Sequence, residues 1–126
     1  MAEAASTGEF TSGSADTAAD TDRLFALLVE TSRMLTAKYP TRNGPFERVV
    51  QLAEETGEIA EQINIWAGRG LKRQKHGEFH PQHLAAEISD VMRAAVGIAL
   101  EFDILSLVSD EIRARHGHAA EESGIP

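Results

Sequence analysis

Two stretches rich in carboxylates decide the fold expected for this chain. Residues 45–66 read PFERVVQLAEETGEIAEQINIW, and residues 81–101 read PQHLAAEISDVMRAAVGIALE. Each stretch begins with a proline, which is favourable at the first position of a helix, and apolar residues recur in each at helical spacing. We therefore predict two long helices, one from about Pro45 to Trp66 and one from Pro81 to about Glu101.

The N-terminal part is divided between a tail and a helix. Residues 1–20 are mostly Ala, Ser, Thr, Gly and Asp without helical or strand periodicity, so we predict a disordered tail there. A helix follows from Thr21 or Asp22 to about Tyr39, because Pro40 disfavours helical geometry in the residue before it. A turn rich in glycine and proline then leads to the second helix.

The C-terminal part is predicted to hold a fourth helix. It covers roughly residues 104–116, follows a tight turn at Asp103 and ends at Gly117. The helical domain would thus span residues 21–118, and residues 119–126 would form a short polar tail. Because nothing in the sequence reads as a strand, we expect an all-α fold, a four-helix bundle completed by homo-oligomerisation.

Composition limits the classes of function that are compatible with the chain. The absence of cysteine excludes disulfides and zinc–thiolate sites. A formal net charge of −8 argues against a nucleic-acid backbone as partner, since phosphates would be repelled. No apolar run is long enough to span a bilayer and no signal-peptide pattern is visible, so we expect a cytoplasmic protein without membrane association.

The candidate chemistry lies in the carboxylates of the two central helices. Glu55 and Glu58 are three residues apart on one helix, as are Glu87 and Asp90 on the other, so each pair shares a face. Glu87 also lies on the core-facing line of its helix, where a leucine would be expected. An unpaired buried carboxylate is costly, and a bound hard cation would relieve that cost. Oxygen-only ligands favour Mg²⁺ or Mn²⁺ over zinc.

Two other interpretations of these carboxylates stay open. Acidic residues on helices are most often solvated surface, and this applies best to the second helix. Alternatively, an ion pair with Arg93 or Arg48 would satisfy the buried carboxylates without a metal ion.

The two acidic motifs resemble those of the MazG-like all-α nucleoside triphosphate pyrophosphohydrolases. The matching text is LAEETGEIA at residues 52–60 and AEISDVM at residues 86–92, and the resemblance covers about residues 22–116. It implies hydrolysis of a nucleoside triphosphate between the α and β phosphates. Nucleotide-pool housecleaning and control of dUTP or dCTP pools are both compatible with that reaction. The resemblance also implies Mg²⁺ as cofactor, with Mn²⁺ as a substitute, held by Glu55, Glu58, Glu87 and Asp90. Glu54 or Glu55 would accept the proton of the attacking water.

Further side chains are candidates for contacts with the nucleotide. Candidate phosphate-binding residues are Lys72, Arg73, Lys75 and Arg93, although a solvated basic loop and a structural ion pair explain them equally well. Candidate base-binding residues are Asn64 and Trp66, because an aromatic face can stack on a nucleobase. A lone tryptophan at a helix end is more often part of a core or an interface.

Two alternative functions and a homo-oligomeric state are also predicted from the sequence. A non-catalytic, metal-binding oligomerisation module is one alternative, and a phosphoribosyl-ATP pyrophosphatase on the same scaffold is another. We also predict a homodimer or homotetramer, because the third helix carries a second apolar stripe at Met92, Val96 and Leu100 that would meet another chain.

Overall fold

The computed structural model describes residues 14–69 and 77–124, with side chains described from residue 23 onwards. Within these residues the chain forms four α-helices and no strand, which confirms the all-α prediction. The elements are α1 (Ser14–Lys38), a short 3-10 turn (Pro40–Arg42), α2 (Pro45–Ala67), α3 (Pro81–Glu101) and α4 (Leu105–Ser123). Among the described helices, none is long and apolar enough to cross a membrane.

Local chemistry sets the ends of the two central helices as predicted. A proline occupies the first turn of both α2 and α3. Gly68 ends α2 in the left-handed conformation, with φ of 69°, which glycine adopts without a steric penalty. Asp103 has φ of 52° in the turn between α3 and α4, a region that Asp tolerates better than most residues.

Both terminal helices are longer than the sequence predicted. The disordered tail expected over residues 1–20 is wrong for residues 14–20, which begin α1, while residues 1–13 lie outside the described part. The stop expected at Gly117 is also wrong, because α4 continues to Ser123 and Gly124 caps it in the left-handed conformation. One glycine costs a helix only about 1 kcal/mol relative to alanine, and the helix formers after Gly117 outweigh that cost.

Helix α3 is the centre of the fold and packs against α1, α2 and α4. Its buried residues are small or β-branched, and Ala94, Val96 and Ala99 are each less than a tenth exposed. The second stripe predicted for an intermolecular contact is therefore only partly available. Val96 is buried and Leu100 half-buried within the chain, whereas Met92 is half exposed.

A buried arginine ties the three central elements together. Arg48 on α2 donates from Nε to Glu101 Oε2 of α3 at 3.1 Å, and from Nη2 to Thr36 Oγ1 of α1 at 2.8 Å. Its Nη2 also reaches Asn43 Oδ1 at 3.2 Å. Gly97 of α3 makes room for the guanidinium, because a Cβ there would lie 2.8 Å from Arg48 Nη1.

We predict that Arg48→Met lowers the free energy of unfolding by about 2 kcal/mol. The substitution keeps the apolar stem but removes the charged hydrogen bonds and leaves Glu101 without its partner. The matched control is Arg113→Met, since Arg113 pairs with Asp110 on the exposed surface of α4 and such pairs contribute little. Urea unfolding of both variants would measure the difference, and equal losses would contradict the structural role of Arg48.

Candidate functional site

Three carboxylates from the two central helices meet across the α2–α3 contact. Glu55 and Glu58 of α2 and Glu87 of α3 each offer an oxygen atom, and these atoms lie within 4.8 Å of one another. Glu55 and Glu87 are half-buried, while Glu58 is exposed. The prediction that Glu87 lies on the core-facing line of its helix is confirmed, since Val91 and Ala94, four and seven residues further along on the same side of the helix, are likewise half-buried or buried.

Two oxygen atoms of this cluster have lost water without gaining a partner. Glu55 Oε2 and Glu87 Oε2 are buried and have no hydrogen-bond partner among the described residues. Removing a carboxylate oxygen from water without replacing its hydrogen bonds costs free energy. The cluster therefore contains two buried carboxylate oxygens without partners, beside the solvated carboxylate of Glu58.

Mutual repulsion and burial raise the pKa values inside the cluster. A hydrogen bond with the Glu58 side chain, followed by burial and the charges of Glu58, Asp90 and Glu55, raises the pKa of Glu87 to about 7. Burial and the charges of Glu58 and Asp90 raise the pKa of Glu55, and the Arg93 guanidinium partly opposes that rise. Electrostatic and solvation costs therefore oppose full ionisation of the cluster, so that the folded chain retains protons there at higher pH than isolated carboxyls would.

Asp90 and Arg93 form the border of the cluster on α3. Asp90 lies one turn after Glu87, and its charge acts on both Glu55 and Glu87. Arg93 approaches two of the acids, with Nη2 at 3.7 Å from Glu55 Oε1 and Nε at 3.8 Å from Asp90 Oδ1. Its backbone oxygen accepts a hydrogen bond from the buried Ser32 Oγ of α1 at 3.1 Å, which holds this turn of α3 in place.

The ion-pair alternative is supported by the structure only in part. Arg48 is not available to the cluster, because its guanidinium forms an ion pair with Glu101. Arg93 supplies one positive charge to Glu55 and Asp90, but the buried oxygens of Glu55 and Glu87 remain without partners. One guanidinium at more than 3.5 Å cannot balance four carboxylates.

The cluster fits a hard divalent cation by its donor chemistry. All candidate ligands are carboxylate oxygens, which Mg²⁺ and Mn²⁺ prefer, and no sulfur or histidine nitrogen belongs to the group. A cation would satisfy the buried oxygens and remove the repulsion that raises the pKa values.

Other predicted site residues lie outside this group. Glu54 is exposed and is not among the three converging carboxylates. Asn64 and Trp66 are exposed in the last turn of α2, with Trp66 67 % exposed and about two helical turns beyond Glu58. The structure does not bring them to the cluster. Lys72, Arg73 and Lys75 fall outside the described residues, so their role stays a prediction.

A polar cavity of about 250 Å³ adjoins the carboxylates. Asp90 and Arg93 line it on the side of the cluster, and its other walls come from α1, the 3-10 turn and the start of α2. These walls include Ser32, Tyr39, Arg42, Asn43, Arg48 and Gln51. Three arginines thus surround a cavity beside an acidic cluster, in a chain whose overall charge is −8.

Apart from Asp90, Arg93 and Arg48, the residues of this cavity were not identified as candidates from the sequence. Tyr39 and Arg42 belong to a segment that we interpreted only as a helix end and a turn, yet the Arg42 guanidinium carbon lies 5.2 Å from the Tyr39 ring centre. Gln51 Nε2 donates to the Arg42 backbone oxygen at 2.9 Å. The one available signal was the position of Gln51, one turn before Glu55 on the same face of α2.

The fold and the site together define an all-α protein with a carboxylate cluster beside an arginine-lined cavity. No family model, no curated protein and no solved structure matches the chain.

Proposed function

We propose that this protein is a Mg²⁺-dependent nucleoside triphosphate pyrophosphohydrolase. The observation that carries the proposal is the convergence of Glu55, Glu58 and Glu87, with two buried oxygen atoms that lack partners. The resemblance of the two motifs to MazG-like enzymes supports the choice of substrate. A purely structural acidic surface would instead place such oxygens in water.

Glu55, Glu58, Glu87 and Asp90 would hold the cation. A bound Mg²⁺ supplies positive charge for phosphate oxygens and makes a nearby water more acidic. Without that charge, the four carboxylates would repel a triphosphate.

The proposed reaction is a displacement at the α-phosphorus, with Arg93 as a contact for the phosphates. Water attacks the α-phosphorus, the bond between that phosphorus and the bridging oxygen breaks, and pyrophosphate leaves with the electron pair. Arg93 lies where it can donate to a phosphate oxygen, since it faces both the cluster and the cavity. The cavity is smaller than the roughly 300–1,000 Å³ of typical ligand pockets, so it would take only one part of the nucleotide.

Of the two candidate bases, Glu54 and Glu55, we propose Glu54 as the acceptor of the proton of the attacking water. It directly precedes Glu55 on α2, is exposed, and is not among the three converging carboxylates, whereas Glu55 would be occupied by the cation. We predict that Glu54→Gln lowers kcat about 100-fold, in the range of general-base catalysis, while Mg²⁺ affinity stays within about twofold. Steady-state kinetics with a parallel Mg²⁺ titration by calorimetry would check this. A wild-type kcat in Glu54→Gln would indicate that Glu55, and not Glu54, accepts the proton of the attacking water.

The proposal is tested with a panel of ribo- and deoxyribonucleoside triphosphates in the presence of Mg²⁺ or Mn²⁺. We expect a nucleoside monophosphate and pyrophosphate, which distinguishes cleavage between the α and β phosphates from loss of the terminal phosphate. Phosphoribosyl-ATP belongs in the same panel, since its exclusive cleavage would favour the rival enzyme. Metal binding without turnover of any of these compounds would instead indicate the non-catalytic module.

A further inference from the structure

The cavity beside the carboxylate cluster has hydrogen-bond donors that the rest of the described chain does not use. The Arg42 side chain forms no hydrogen bond and no ion pair with a described residue, and its guanidinium lies over the Tyr39 ring. Arg93 approaches its two acids at 3.7 and 3.8 Å, which is longer than a hydrogen bond. Arg48 is buried, yet among the described residues only its Nε and Nη2 have hydrogen-bond partners, and its Nη1 has none.

The neutral polar side chains of the cavity wall are largely bonded to the chain itself. Ser32 Oγ and Asn43 Nδ2 donate to backbone oxygens of α3 and α1, and Asn43 Oδ1 accepts from Arg48. Gln51 Nε2 donates to a backbone oxygen of the 3-10 turn, which leaves its side-chain oxygen as an acceptor. The other strong acceptor in the wall is the Asp90 carboxylate, which belongs to the proposed cation site. The unused hydrogen-bonding capacity of the cavity therefore consists mainly of donors.

This excess of donors suits a phosphate chain better than a nucleobase. A base presents donors as well as acceptors and binds best against a free aromatic face. Tyr39 supplies the aromatic ring of the wall, and two cations already lie over it. The Arg42 guanidinium carbon is 5.2 Å and the Lys38 ammonium nitrogen 5.3 Å from the ring centre. An ionised phosphate group presents acceptors only, which guanidinium groups bind through paired hydrogen bonds.

The size and the position of the cavity fit two linked phosphate groups next to the cation site. A volume of about 250 Å³ equals that of about eight water molecules, which is enough for two phosphate groups but not for a whole nucleotide. Gln51 in the cavity wall precedes Glu55 of the cluster by four residues, which is about 6 Å along α2. Asp90 and Arg93 belong to the wall and also border the cluster. A triphosphate chain can therefore lie with one phosphate at the cluster and two in the cavity.

We propose that this cavity binds the β- and γ-phosphates of the substrate and then the pyrophosphate product, with Arg42 as a residue that contacts them. The identity of the ligand rests on the proposed function, whereas the unused donors do not. A cation that takes up the charges of Glu55 and Asp90 would release Arg93 for phosphate oxygens. Cation and pyrophosphate thus favour each other's binding, by the same factor in both directions. The cavity selects nucleotides by the length of the phosphate chain.

Calorimetric titration of inorganic pyrophosphate into the full chain, with Mg²⁺ in excess, tests this assignment. We expect Arg42→Gln to weaken pyrophosphate binding about tenfold, because it removes a charged pair of donors. Arg42→Lys should recover part of the loss, since it keeps the charge without the paired geometry. Circular dichroism should show unchanged helices, because the Arg42 side chain is exposed.

The matched control is Lys38→Gln, which removes the same charge beside the same ring. Lys38 contacts Tyr39 but is not among the described residues that line the cavity. An exposed charge outside the cavity is screened by salt, so this variant should bind pyrophosphate within about twofold of the wild type. Equal losses in Lys38→Gln and Arg42→Gln would refute a specific contact by Arg42.

Nucleotide kinetics separate the phosphate chain from the base. The wild type should have a higher kcat/KM for a nucleoside triphosphate than for the diphosphate of the same nucleoside, and Arg42→Gln should lower this ratio about tenfold. A nucleoside monophosphate should bind equally well to both proteins, since it lacks the two outer phosphates. If Arg42→Gln weakens binding of the monophosphate and leaves pyrophosphate binding unchanged, the base occupies the cavity and the proposal is overturned.

These outcomes distinguish a failure of this inference from a failure of the proposed function. Pyrophosphate binding that depends on Arg42, without turnover of any nucleotide, would support the diphosphate site and refute the hydrolase. Turnover of triphosphates with equal pyrophosphate affinity in the wild type and in Arg42→Gln would refute the diphosphate site and support the hydrolase.

Discussion

Replacing Glu58 with Gln is expected to reduce Mg²⁺-dependent turnover by more than about 1,000-fold while the helices stay folded. Glu58 is the exposed member of the converging carboxylates, so the substitution removes a ligand without opening a cavity. Losing about 4 kcal/mol of charge stabilisation in the transition state corresponds to a loss of that size. Asp90→Asn should act in the same direction, because Asp90 adds its charge to both buried acids.

Pyrophosphate release at limiting Mg²⁺ would measure this loss, with circular dichroism as the test of folding. The matched control is Glu111→Gln on α4, which removes an exposed carboxylate outside the cluster, paired with Arg115. The control should keep wild-type turnover. Near-wild-type turnover of Glu58→Gln at limiting Mg²⁺ would show that Glu58 is not a ligand.

The metal-free protein is expected to lose stability as the pH rises from about 4.5 to about 7. The carboxyl of Glu87 has a pKa of about 7 in the folded chain against 4.5 as its ordinary value, so the folded state binds more protons across this window. Linkage then makes the free energy of unfolding fall as pH rises, and the raised pKa of Glu55 acts with the same sign. After a discount for solvent screening we expect a loss on the order of 2 kcal/mol, or about 10 °C in Tm.

Thermal unfolding in chelator at several pH values would measure this trend. Glu87→Gln should flatten it and should be more stable than the wild type above pH 7, because the variant carries no charge to repel Glu58. Saturating Mg²⁺ should raise the Tm of the wild type by binding the charged form, and should do so much less for Glu87→Gln. A metal-free wild type whose stability rises from pH 5 to pH 7 would contradict the raised pKa.

The sequence predicted the all-α class and the inner helix ends because local chemistry controls them. Pro45 and Pro81 start their helices and Gly68 ends α2 through backbone preferences that need no tertiary contact. The outer helix ends were wrong, since Gly117 lies within α4 and α1 begins at Ser14. At these outer ends the sequence offers only intrinsic helix propensities. The propensities of the residues involved differ too little to fix where the last helical turn ends.

The candidate site likewise contains some residues that could be predicted from local sequence and others that could not. Glu55, Glu58, Glu87 and Asp90 could be selected from sequence, because spacing on a helix fixes which side chains share a face. The cavity beside them could not, because Tyr39, Arg42 and Gln51 come from elements whose relative position depends on packing. The ion-pair partner of Arg48 could not be predicted from the sequence either. Glu101 is distant along the chain, and other acidic residues lie nearer to Arg48 in sequence.

By itself, the sequence determined the helices, their inner ends and the face on which each acid lies, because these follow from backbone preferences and helical periodicity within single segments. Only the tertiary structure decided that three carboxylates converge with two unpartnered oxygens, that Arg48 serves the core instead of the cluster, and that Trp66 stays exposed. Those outcomes depend on how α1, α2 and α3 pack, and packing is settled by the fit of many side chains from distant segments at once.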